Sequence, residues 1–90
     1  MAIKINIPTP MRQHTDNQAV VEGQGGNVGE LLRTLGQRYP GLADRLFENG
    51  QVRRFINLYL NDEDIRYLDS LETTVKDGDE LSIIPAVAGG

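Results

Sequence analysis

The chain contains no cysteine, a single histidine, and no apolar run approaching membrane-spanning length. Without cysteine there can be no disulfide, no thiolate metal ligand and no thiol nucleophile, which is compatible with a reducing compartment. His14 stands alone, with no second histidine or cysteine to complete a metal site of the usual kind, so it reads as a solvated loop residue and no metal is expected. A bilayer span needs about 20 apolar residues, and the start Met1-Ala2-Ile3-Lys4-Ile5 lacks a secretory signal. No membrane association and a cytoplasmic address are expected. Positive charge is also scarce: 9 basic against 13 acidic residues give a net charge of −4. That balance argues against a nucleic-acid partner, which would require a concentrated basic surface, and suits a protein partner better.

What is present is enough for one small core. Ninety residues, 39% hydrophobic and 24% charged, describe an ordinary single globular domain. Ile3, Ile5 and Ile7 alternate with Lys4 and Asn6, the period of a half-buried strand ending at Pro8-Thr9-Pro10. Beyond the polar segment Arg12 to Asn17, the run Gln18 to Glu22 can pair back on it before the glycines at 23, 25 and 26. Asn27 and Glu30 have the spacing of a capping box, with the acid reaching back to the cap. Val28, Leu31, Leu32 and Leu35 then form the stripe of a helix running to about Arg38. Leu42, Leu46 and Phe47 suggest a further helical turn closed by Asn49-Gly50, and Arg54 to Leu60 a third strand with Ile56, Leu58 and Leu60 on one face. Asn61 to Asp64 reads as a turn, Ile65-Arg66-Tyr67 as a short edge strand, and Leu81 to Ile84 as a last strand stopped by Pro85. This order predicts an α+β domain over residues 1–85, a mixed sheet of four to five strands with one main helix on one face, the β-grasp (ubiquitin-like) layout. The last strand would lie centrally beside the first.

The body offers little chemistry of its own. Asp62, Glu63 and Asp64 lack the alternating ligands of a calcium loop and read as a solvated turn. Gly23, Gly25 and Gly26 precede a helix but miss dinucleotide-loop spacing, with Val28 where a glycine is required, and no Gly-Lys-Ser/Thr triplet follows. Ser70 and Ser82 have no nucleophile-elbow context. The chain is therefore expected to act without a catalytic site of its own and to bind no cofactor itself.

Attention falls on residues 86–90, Ala-Val-Ala-Gly-Gly, expected to be a flexible tail following directly on the last core strand. Fully extended, five residues reach about 17 Å, enough to enter a partner's channel while the body stays outside. Gly89 and Gly90 carry no side chain to obstruct such a channel. A carboxylate at Gly90 becomes an acyl donor only when its oxygen is made a leaving group, for instance by adenylation with ATP. Val87, Ala88 and Gly89 would then be partner-binding residues. Phe55, Asn57 and Tyr59 should face away from the helix together with Ile84, an uncovered patch beside the tail on which a partner could dock, unless segment 68–75 or 8–17 covers it.

The segments Asp77-Gly78-Asp79-Glu80-Leu81-Ser82-Ile83-Ile84-Pro85 and Ala86-Val87-Ala88-Gly89-Gly90 resemble the ends of the ThiS and MoaD sulfur carriers. Arg54 to Arg66, Ile5 to Thr9 and Arg12 to Thr15 extend the likeness over nearly the whole chain, and look most like carriers associated with a cysteine synthase. The resemblance implies adenylation of Gly90 by an E1-like enzyme and conversion to a thiocarboxylate. That group would give sulfur to an acceptor enzyme such as a pyridoxal phosphate-dependent cysteine synthase. Since the chain has no cysteine, its sulfur would sit on the tail. It is expected to need no proteolytic maturation past Gly90 and to be monomeric when free. Two further roles stay open: a ubiquitin-like modifier conjugated through Gly90, and the small subunit of molybdopterin synthase. A non-covalent binding module would need Phe55 or Tyr59 and not the tail.

Overall fold

The computed structural model describes residues 3–85; Met1, Ala2 and the tail from Ala86 to Gly90 lie outside the described residues. β1 (Ile3–Asn6) and β2 (Val20–Gly23) form an antiparallel hairpin in which Ile5 faces Val21 and Lys4 faces Glu22. The alternation works as its period requires: Ile3, Ile5 and Ile7 are buried while Lys4 is exposed. Between the strands the expected polar loop contains a 3-10 helix, Thr9–His14, which buries Met11.

Helix α1 (Val28–Arg38) begins at Asn27, whose Oδ1 accepts the Glu30 amide at 2.8 Å. Glu30 does not close the capping box on Asn27; its Oε1 accepts the amide of Gly26, one residue earlier, at 2.7 Å. The chain enters the helix extended, held by Val28 N–H to Thr73 O and Val75 N–H to Gly26 O. That entry presents the Gly26 amide to the carboxylate. Val28, Leu31, Leu32 and Leu35 are fully buried against the sheet. α2 (Pro40–Leu46) is longer than the turn read from Leu42, because Pro40 at its first position pre-sets helical φ instead of merely ending α1. A Cβ on Gly36 would lie 2.9 Å from the Ala43 Cβ, so that glycine sets how closely the helices approach.

Phe47 belongs to a strand and not to the helical turn: β3 (Phe47–Glu48) pairs with β4 (Gln51–Val52) across Asn49-Gly50, whose φ values of 54° and 80° make a two-residue hairpin turn. β5 covers Ile56–Leu60, two residues shorter than the sequence suggests. The Ile56 amide turns back to Arg53 O, which leaves Arg54 and Phe55 in the approach to the strand. The next turn uses only Asn61 and Asp62, both at positive φ, so the edge strand β6 comes early, at Glu63–Asp64. Ile65–Tyr67, expected as that strand, is a 3-10 turn capped by Asp64. β7 (Glu80–Pro85) lies between β1, to which it is parallel, and β5, to which it is antiparallel. The sheet order β2-β1-β7-β5-β6 with α1 across one face is the β-grasp arrangement.

Asp64 is also a correction to the solvated-turn reading. It is buried and accepts the Arg66 amide and guanidinium, with the shortest ion-pair distance 2.6 Å. The Arg66 side chain first, and its backbone N–H second, hold the Asp64 carboxyl below the ordinary value of 3.8. A carboxyl lowered by folding contributes stability that is complete above its unfolded value and disappears as pH falls through the folded one. Asp64→Asn is therefore expected to flatten the acid limb of the stability curve below about pH 4. Urea melts across pH would check this, and an acid limb as steep as that of the parent would refute it.

Candidate functional site

The sheet face opposite α1 carries Lys4, Asn6, Asn57, Tyr59, Ser82 and Ile84. Neither loop that could cover it does so. Segment 68–75 packs toward α1, with the Leu71 carbonyl beside Gly29 and Thr73 bonded to Val28. The 3-10 helix after β1 packs on α2, where His14 lies against Gly41. His14 is accordingly half-buried and not a solvated loop residue.

The three residues named for docking do not make the single patch the alternation suggests. Ile84 is 44% exposed and faces Asn57; Tyr59 is half-buried and faces Ser82, diagonal to Ile84. The middle of the face is polar, for Asn6 Nδ2 donates to Glu80 at 2.5 Å and to Ser82 Oγ at 3.0 Å. Phe55 has left the strand, and its exposed ring lies at the end of the sheet where β7 stops.

That end is where the tail starts. Pro85, the last described residue, faces Ile56, and two clefts meet at it. One, of about 660 Å³, is bounded by Met11 and His14, by Arg45 of α2, and by Arg53 and Phe55. The other, of about 340 Å³, is bounded by Arg12, Ser82 and Ile84. Arg12 Nε donates to Ile7 O at 3.0 Å, and Arg53 donates to Asp44 O at 3.0 Å while pairing with Glu48 at 3.5 Å. The arginines gathered here went unremarked in the sequence; tracing each one to the N- or C-terminal end of β7 would have found them. The tail residues Val87, Ala88, Gly89 and Gly90 lie outside the described residues.

The remaining candidate chemistries are occupied by structural duties. Amides at a helix start attract anions, and here the Gly26 amide already binds the Glu30 carboxylate. Asp64 is held by Arg66, Ser82 accepts from Asn6, and Ser70 sits at φ 52° in a short 3-10 turn. Among the described residues no three His, Cys, Asp or Glu side chains converge as a metal site would require, and no helix is long and apolar enough to cross a membrane.

Known proteins share this architecture and sequence. The model of the ThiS family matches residues 5–90. Sulfur carrier protein CysO of Mycobacterium tuberculosis is 41% identical over 93 aligned positions, covering 100% of both chains. Small archaeal modifier protein 3 of Haloferax volcanii is 44% identical over 63 positions, 70% of this chain and 68% of that protein. A chain of the Amycolatopsis orientalis BexX/CysO complex superposes with a TM-score of 0.91 at 46% identity, over 99% of this chain and 100% of that one.

Proposed function

The chain belongs to the ThiS family, and from that premise we propose that it is a sulfur carrier whose Gly90 carboxylate is the working group. The observation that carries this reading is a full-length likeness to a sulfur carrier, on a domain whose central strand ends at Pro85. Five residues then separate the fold from the acyl carbon.

An E1-like enzyme would supply ATP: the Gly90 oxygen attacks the α-phosphorus, pyrophosphate leaves, and an acyl-adenylate results. Hydrosulfide from that enzyme's sulfur source would then add at the carbonyl carbon, AMP would depart and the S–H proton would pass to solvent, which leaves a thiocarboxylate. The body would contribute recognition only and hold no cofactor. His14 is turned against Gly41, and its Nε2 is 3.5 Å from the Gln13 amide nitrogen, so it is not posed beside a nucleophile. The acceptor proposed is a pyridoxal phosphate enzyme of the cysteine-synthase class, since the CysO likeness extends over the entire chain. Incubation with the E1-like enzyme, ATP and a sulfur source should add the mass of one oxygen-to-sulfur exchange to the intact protein. An unchanged mass would overturn the proposal for that enzyme.

Conjugation to protein lysines is the second reading, favoured by the 44% identity to an archaeal modifier protein. It requires larger species that survive denaturation, and a denaturing gel of cell extract separates the two readings.

A further inference from the structure

Charge is segregated along the sheet. β5 and β7 are antiparallel, so the turn leaving β5 and the turn entering β7 share one end, where Asp62, Glu63, Asp79 and Glu80 stand with Lys76. The other end, where β7 stops at Pro85, carries Arg12, Arg45, Arg53 and Arg54. This positive pole belongs to a chain of net charge −4. Arg12 and Arg53 are spent on backbone carbonyls and Glu48. Arg45 and Arg54 are exposed, and their side chains make no hydrogen bond or ion pair among the described residues. Arg45 lines the cleft at the tail's root together with Arg53 and Phe55, and Arg54, between Arg53 and Phe55 in the chain, lines the neighbouring cleft that shares Arg53.

We propose that Arg45, which shares a cleft with the exposed Phe55, and Arg54, its neighbour in the chain, are a docking collar that reads carboxylate side chains on the rim of the partner enzyme's tail-receiving channel. The proposal rests on the reading that the tail enters such a channel. Two exposed guanidiniums without a side-chain partner among the described residues can offer their fork to carboxylates at little cost to the domain. The molecule measures 32 × 28 × 24 Å, whereas charges in physiological salt are screened over about 8 Å. A partner approaching one end therefore feels that end and not the net charge. An acidic rim attracts the tail end and repels the far end, so encounters arrive tail first. Asp44 and Glu48 also stand at this end, Glu48 paired with Arg53, and four arginines against two acids leave it net positive.

The test compares Arg45→Glu/Arg54→Glu with Arg33→Glu/Lys76→Glu, which changes net charge equally at exposed positions away from the tail's root. The partner is the E1-like enzyme that adds sulfur to the parent protein. The first pair should slow association about tenfold or more at low salt, with the gap closing at high salt, while the end-point mass gain is still reached. The second pair should stay within about twofold. Equal slowing by both pairs, or none by the first, would overturn the collar. If no such enzyme adds sulfur to the parent, the carrier reading fails separately. The collar is then judged by titrating an Asp/Glu-rich peptide into labelled protein, where shifts centred on Arg45, Arg54 and Phe55 support it and shifts centred elsewhere refute it.

Discussion

A chain ending at Gly89 is expected to fold and melt like the parent and to gain essentially no sulfur. The described core side chains lie between Ile3 and Ile83, and the described strand pairing reaches Pro85. Folding is therefore expected not to call on Gly90. Deleting that residue draws the carboxylate back by roughly 3.5 Å. Acyl transfer needs reacting atoms about 3–3.5 Å apart, and a misplacement of about 1 Å already costs on the order of a hundredfold. A full residue exceeds any tolerance the site could have, and a loss of at least about a thousandfold in the rate of mass gain is expected. Gly89→Leu provides the complementary case, in which length is kept and bulk is added where a narrow channel would admit only backbone. It should also fail. Intact-mass time courses beside thermal melts check both, and a shortened chain that gains sulfur at the parent's rate would remove Gly90 from the mechanism.

What could be read from the residues follows the strength of the periodic pattern. Strong periodicities were legible: the isoleucines of β1, the stripe Val28, Leu31, Leu32 and Leu35, and the inward set Ile56, Leu58 and Leu60 are all buried. Local competitions between a side chain and the backbone were not. Asp64 could lie in a turn or cap one, and only its bond to the Arg66 amide makes Ile65–Tyr67 a 3-10 turn instead of a strand. Pro40 could end α1 or begin α2, and it does both. Phe55 followed the strand alternation on paper, but the turn from Arg53 O to Ile56 N–H places it outside the strand. The arginines at the tail's root are distant in sequence, at 12, 45, 53 and 54, and no one-dimensional pattern joins them. Only the β1/β7 parallel pairing and the packing of α2 beside the 3-10 helix bring them to one end.

Leu32→Ala is expected to be the most damaging change to the fold at a site remote from the tail. Leu32 is fully buried in the face of α1, and removing a buried leucine side chain typically costs about 2–5 kcal/mol through lost transfer energy and residual cavity. A domain of this size has a total stability on the order of 5–13 kcal/mol, so the change removes at least about a sixth of it. At about 4–8 °C per kcal/mol the melting temperature should fall by at least about 8 °C. The reason for so steep a dependence lies in the helix itself. Gly29 and Gly36 each weaken it by about 1 kcal/mol relative to alanine, so α1 persists because its stripe is packed and not because its residues favour helix. Ile84→Ala supplies the contrast, since that side chain is 44% exposed on the open sheet face and should cost less than about 1 kcal/mol. A small loss at Leu32 would mean that something other than the packed stripe holds α1. Below its lowered melting temperature the Leu32→Ala protein should still acquire sulfur to completion, because the proposed reacting group, Gly90, follows β7 in the chain and not the helix.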